Sequence, residues 1–217
     1  MPDAALQLET AAPPDSIPSK SPSDWRERVL HPSRAVVAAS MALFAVDQFV
    51  YQQVGSFVPF QAPLDWTNHL LTTLFIVWAT RPLIGRRQIL AALIASVVID
   101  ADHIPGYLGS NILTGGDPRP YTHSLTTVVV LLVIAAARPR WRYWASGAAL
   151  GVLSHLWRDL AEPQGAGVSL LWPVSTRVIT TPATWYLGSI AVLSVISLIR
   201  AVPADRASLD AWRKHRH

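Results

Sequence analysis

The sequence contains no cysteine, which removes a disulfide framework, a thiolate nucleophile and any cysteine-ligated zinc, haem or iron–sulfur site. Any metal must therefore rest on histidine and carboxylate. Charge is also scarce: Asp, Glu, Lys and Arg make up 15% of the 217 residues, against roughly 25% in an ordinary soluble domain. With 51% hydrophobic residues, the chain has too few ions to cover a water-facing surface, and lipid becomes the expected solvent. The charge that remains is basic, at a formal net of +4. A basic balance suits nucleic acid only where the cations cluster for it, and here their positions point elsewhere.

No apolar run falls within the first 33 residues, which are polar and rich in Pro and Ser. Such a segment cannot bury enough apolar surface to order itself, so 1–33 is expected to be a disordered cytoplasmic arm. A signal peptide would place a short apolar stretch behind a few basic residues near Met1, whereas the first apolar run begins at Ala35. No cleavage is expected. Six apolar stretches follow, at 34–55, 64–80, 87–101, 122–138, 141–160 and 182–200, without the polar-face periodicity of a soluble bundle. They predict an all-α, polytopic membrane bundle of about six transmembrane helices over 34–200, closed by a basic cytoplasmic tail at 201–217.

The Lys and Arg residues fix the expected orientation. Fifteen of the 18 lie in the arm, in the second-to-third and fourth-to-fifth connections and at the C-terminal end, and only Arg119, Arg158 and Arg177 lie on the other side. By the positive-inside rule both termini are cytoplasmic. The same distribution accounts for the basic balance without a nucleic-acid partner. Trp78, Trp141 and Trp144 near the basic ends, and Trp66, Trp157, Trp172 and Trp185 near the opposite ends, fit two interfacial belts.

Ionisable residues within these stretches single out a site. His69, His103, His123 and His155, with Asp100, Asp102 and Asp159, lie inside or at the ends of apolar segments, where each costs several kcal/mol unless paired or bound to a cation. His69 is 12 residues from Arg81, Asp100 is 13 from Arg87, His123 is 15 from Arg138 and His155 is 13 from Arg142. At 1.5 Å per residue, all four stand roughly 18–23 Å above the basic belt, at one level in the outer half of the bilayer. His155 and Asp159 share a helix face at i, i+4, and Asp100, Asp102 and His103 close a helix just before Ile104-Pro105. These seven donors exceed one tetrahedral site and suit one or two divalent ions, zinc most plausibly or manganese, about 3.5–4 Å apart where there are two. Asp47, with Gln48, Gln52 and Gln53, fits an interhelical hydrogen-bond network, and Thr122 and Ser124 stand where a helix needs N-caps.

The runs Asp100-Ala101-Asp102-His103, Arg119-Pro120-Tyr121-Thr122-His123-Ser124 and Ser154-His155 with Asp159, followed by Gly165 through Leu171-Trp172-Pro173, carry a resemblance. In the order and spacing of these motifs, from about His69 to Pro182, the chain resembles the YdjM family, described as LexA-binding, inner-membrane-associated metal-dependent hydrolases. The resemblance implies that His69 is the family's early helix histidine, that Asp100, Asp102 and His103 form its aspartate-rich motif, and that His123, His155 and Asp159 complete its ligand set. It also implies a bacterial inner-membrane location. One departure stands out: the family's His-Arg-Gly-x-Thr-His-Ser run reads here Pro118-Arg119-Pro120-Tyr121-Thr122-His123-Ser124, without the first histidine or the glycine.

The expected function is hydrolysis of an ester or phosphoester by water acidified on the metal. Asp102 or Asp159 is the expected general base, and Arg119 and Arg158 are expected to grip an anionic group. A site in the outer half of the bilayer, on the extracytoplasmic side, favours membrane lipid or a lipid-like phosphorylated substrate. The loop Pro163–Pro173 reads equally as a re-entrant cover over the site or as a connection resting on head groups. Two other classes stay open: a divalent-metal transporter, which would favour ligands at the midplane, and a non-catalytic membrane partner. The oligomeric state is left open.

Overall fold

The computed structural model describes residues 31–54, 58–81, 83–115, 119–161 and 167–214. The arm as far as residue 30, Pro118 and Gly165 in the connecting loops, and the last three residues lie outside this set. The apolar runs are helical: α1 (Arg34–Val54), α2 (Val58–Thr80), α3 (Arg86–Val98), the one-turn α4 (Ile104–Tyr107), α5 (Leu125–Ala137), α6 (Arg142–Leu160) and α7 (Ala183–Lys214). Short 3₁₀ segments, Ile99–His103 and Pro139–Trp141, join α3 to α4 and α5 to α6. Among the described residues there is no strand, and the one isolated bridge pairs Val168 with Ile179.

Three boundaries differ from the apolar pattern. α3 does not break at Pro105; it tightens into 3₁₀ over Ile99–His103 and resumes as α4. Proline is tolerated there because a helix's first N–H groups have no intrahelical partner. α5 begins at Leu125, three residues later than the apolar run, with its first N–H bonded to the Leu170 carbonyl at 2.9 Å. The segment expected as a tail continues helically to Lys214, in keeping with its Ala, Leu, Arg and Lys content.

The helices alternate in direction. Cross-contacts fix one end of the bundle by Asp47, Asn68, Asp100, His123 and His155 and the other by Arg200 on the Arg81 carbonyl and Gln88 Nε2 on Ser146 Oγ at 3.0 Å. α3 and α6 run parallel and touch backbone to backbone. A Cβ on Gly147 would lie 2.3 Å from the Gln88 oxygen, and one on Gly151 would lie 2.2 Å from the Ala92 oxygen. Small residues at four-residue spacing are what permit such an approach. One further step along the same stripe brings His155 to Ser96, where Nδ1 meets the carbonyl at 2.8 Å.

Burial is inverted relative to a water-soluble bundle. Asp47, Asn68, His69, Thr72, Thr73, Ser96, His123, Ser154, His155, Arg158 and Asp159 are buried, while Leu43, Phe49, Leu90, Ile94, Val130, Val133, Val192 and Ile199 are exposed. Such an outer surface in water would be one large apolar patch. Two helical stretches, Arg86–Gly106 and Ala183–Ala201, are long and apolar enough to cross a membrane. The others fall short of that measure for identifiable reasons: α5 has only 13 residues, about 20 Å of helix, and α2 and α6 carry the buried polar residues of the site.

Gly151→Ala should force α3 and α6 apart and cost about 1–3 kcal/mol. Gly188→Ala, whose added Cβ would have no neighbour within 4 Å, should change stability by less than about 0.5 kcal/mol. Thermal unfolding of the two variants in detergent checks the contrast.

Candidate metal centre

All seven donors expected from the sequence converge at one end of the bundle. α2 supplies His69, the 3₁₀ turn supplies Asp100, Asp102 and His103, the residue pair before α5 supplies His123, and α6 supplies His155 and Asp159. His69, His123, His155 and Asp159 are almost completely buried, whereas Asp100, Asp102 and His103 are partly exposed at the rim.

Two imidazoles are aimed inward by what holds their far sides. His155 Nδ1 lies 2.8 Å from the Ser96 carbonyl, which can only accept, so Nδ1 carries the proton and Nε2 is left with its lone pair. His123 Nδ1 lies 3.1 Å from Asp102 Oδ2, with the same consequence. The two Nε2 atoms then face each other at 3.1 Å. Asp100 Oδ1 lies 3.3 Å from His155 Nε2 and 3.4 Å from His123 Nε2. Asp159 Oδ2 lies 3.2 and 3.8 Å from the same two nitrogens.

These spacings test whether a cation fits. Two nitrogen lone pairs and two carboxylate oxygens crowded together repel unless a cation or a shared proton lies among them. A tetrahedron with metal–ligand bonds of about 2.0–2.1 Å has edges of roughly 3.3 Å, close to the separations observed. Further donors are buried without a hydrogen-bond partner: Nδ1 and Nε2 of His69, Oδ2 of Asp100 and Oδ1 of Asp102. Unsatisfied buried polar atoms are rare in native proteins, so the donor set fits a divalent cation. A second group of three, His69, His155 and Asp159, adjoins the first, with the His69 ring stacked on His155 at 3.6 Å and its Nε2 3.4 Å from Asp159 Oδ1.

Asp65 belongs to the centre without belonging to any motif. Its Oδ2 lies 3.6 Å from His69 Nε2, and Asp65, His69 and Asp100 form a further potential ligand group. The signal was the i, i+4 spacing of Asp65 and His69, the same spacing that singles out His155 and Asp159. The two arginines differ in their settings. Arg119 reaches Asp159 Oδ2 with Nη1 at 2.9 Å and keeps 13% of its side chain exposed at the mouth. Arg158, expected to meet an anionic substrate, is instead buried with Nη2 2.9 Å from Asp65 Oδ1. α6 turns it away from the opening and toward α2.

Thr122 and Ser124 do not act as caps. The Thr122 hydroxyl donates to Asp102 Oδ2, and Ser124, although it occupies the N-cap position of α5, makes no side-chain capping bond. The Leu170 carbonyl takes the first N–H of α5 in their place. Over this corner Tyr121 stacks on Trp172 at 4.7 Å, and the Tyr121 hydroxyl presses on Gly115, where a Cβ would lie 1.8 Å away and φ is +55°. A side chain there would be strained and would displace the Tyr121 ring. The described part of the Pro163–Pro173 loop thus packs over the start of α5. Beneath the centre, Asn68 donates to Asp47 and accepts from Gln48, tying α1 to α2.

An all-α bundle with polar residues inside, apolar residues outside and a His/Asp cluster at one end defines a membrane-associated protein with a potential metal centre. The family comparison agrees: the model of the YdjM inner membrane protein family matches residues 64–214, and the chain belongs to that family. No protein of curated function and no solved structure matches the chain.

Asp65→Ala should remove the carboxylate 2.9 Å from the buried Arg158 guanidinium and cost about 1–3 kcal/mol, and the double change Asp65→Leu, Arg158→Met should recover part of that loss. Unfolding midpoints of the single and double variants measure the recovery.

Proposed function

We propose that this protein is a multi-pass inner-membrane hydrolase that uses one or two divalent ions, zinc or manganese, to cleave an ester or phosphoester of a lipid-like substrate. The observation that carries this reading is the close approach of Asp100 Oδ1, His123 Nε2 and His155 Nε2, mutually 3.1–3.4 Å apart, with Asp159 Oδ2 3.2 Å from the same His155 nitrogen. When bound, such a cation supplies Lewis acidity and lowers the pKa of water beside it.

The chain's own residues do the rest. His155 and His123 present Nε2 because Ser96 and Asp102 hold Nδ1. Asp102 binds His123 and Thr122 through Oδ2, which leaves Oδ1, buried and without a hydrogen-bond partner, to accept a proton as general base. Arg119 holds Asp159 and, partly exposed at the mouth, is placed to meet a phosphate. Arg158 acts through Asp65 and His69 rather than on substrate.

An amphiphilic substrate is supported by the rim. Ile104, Leu108, Ile112, Leu171 and Val174 are exposed around the open end of the bundle, so the ligand cluster sits beside apolar surface rather than in a water-lined cleft. The alternating helices support six passes, with the arginine-poor end, and the centre with it, on the extracytoplasmic side.

Metal content by elemental mass spectrometry tests the chemistry. Purified wild type should hold up to two equivalents of zinc or manganese and cleave a generic phosphoester, and His123→Ala, His155→Ala should lose both. A metal-free wild type after supplementation would sink the hydrolase reading. The absence of cysteine makes orientation directly measurable: Val174→Cys should react with a membrane-impermeant maleimide on intact cells, and Leu83→Cys only on inverted vesicles. The opposite pattern would invert the topology.

A further inference from the structure

A cavity of about 900 Å³ runs along α3, α5 and α6 from the Pro139–Trp141 turn, at the other end of the bundle, up to Val98. Its walls are Ile94 and Val98 from α3 and Leu131 and Ile134 from α5. Arg138, Arg140, Trp141 and Trp144 line its lower end. Ala145, also in its lining, is ten residues from His155 on α6, about 15 Å along the helix. The arginine-lined end of the cavity is therefore remote from the metal centre, although its upper wall reaches Val98, two residues before Asp100.

We infer that this cavity binds an anionic phospholipid of the cytoplasmic leaflet, with an acyl chain between α3 and α5 and the phosphate on Arg138 and Arg140. The inference rests on the membrane placement proposed above. An apolar recess that opens toward lipid does not stay empty, because its lining would forgo the contacts of a close-packed neighbour. Water is a poor occupant, since an apolar cavity offers it too few hydrogen-bond partners.

Charge selects among lipids. No Asp or Glu occurs between Trp66 and Ile99 or between Pro118 and Arg158, the segments that build the cavity. Arg138 and Arg140 are exposed there, and the Arg140 guanidinium lies 5.7 Å from the centre of the Trp141 ring. Cations beside interfacial tryptophans at the mouth of an apolar groove match a phosphate on an acyl chain. A zwitterionic head group would add a cation where the protein already concentrates its own.

The test uses full-length protein in phosphatidylcholine vesicles containing phosphatidylglycerol, with either lipid carrying dibrominated chains that quench tryptophan. Trp141→Phe, Trp144→Phe isolates the emission of those two rings by difference. Brominated phosphatidylglycerol should quench that emission more than brominated phosphatidylcholine at equal mole fraction. Arg138→Gln and Arg140→Gln should each weaken the preference roughly fivefold, the equivalent of about 1 kcal/mol per basic residue. Equal quenching by the two lipids, or a preference that survives both arginine changes, would overturn the proposal. Quenching by neither would also overturn it and point to a second copy of the chain on this face. Circular dichroism of each variant verifies that it is folded. Lipid preference in a protein that holds no metal would count against the hydrolase reading and leave this one standing.

Discussion

The backbone contact between α3 and α6 is the constraint from which the metal centre follows. Two parallel helices approach this closely only because Gly147 and Gly151 present no side chain to Gln88 and Ala92. With that stripe in register, the next four-residue step sets the His155 ring against the Ser96 carbonyl. The contact falls just before α3 tightens to 3₁₀ at Ile99. The same tightening turns Asp100 and Asp102 toward the histidines. A glycine pair thus determines, two turns away, which nitrogen of an imidazole is available.

Inverted burial is the second consequence of this chain's composition. A bundle that hides three histidines, Asp47 and Asp159 needs partners for their polar atoms. It finds many of them in hydroxyls: Thr73 meets Ser154 at 2.6 Å, and Thr72 meets Tyr186 at 2.6 Å. These contacts tie α2 to α6 and to α7 without charge. The ions are gathered instead at one end, where Arg119 and Arg158 offset Asp159 and Asp65. Hydroxyl pairs bind the helices at depth, and ion pairs close the rim.

Much of this centre was legible in the sequence because membrane depth makes charge conspicuous. Each donor stands out against an apolar run, and the residue count from the arginine belt puts His69, Asp100, His123 and His155 at one level. Asp65 escapes such a count, since it lies at the start of its apolar run, where an acidic residue reads as ordinary helix-start charge. Arg158 and Thr122 were legible as residues but not as partners. The role of Arg158 depends on how α6 is rotated, and that helix buries all but a strip through Tyr143, Leu150 and Leu153, which is itself largely apolar, so no polar face marks its rotation. The number of passes has the same limit. Hydropathy registers α3 and α7, while the site itself dilutes the signal in α2 and α6.

The donor geometry constrains how a two-ion centre would have to be built. Two of the potential ligand groups, Asp100 with His123 and His155, and His69 with His155 and Asp159, both draw on His155. Its Nδ1 is committed to Ser96, so a single lone pair on Nε2 remains, and one lone pair serves one cation. Two ions could therefore not both count His155 as a ligand. Asp159, with Oδ2 toward His155 and Oδ1 toward His69, is the carboxylate that could serve both ligand groups. Asp65 would then complete the outer ion with His69. Arg158, 2.9 Å from Asp65 Oδ1, would then bear on such a second ion only through that carboxylate.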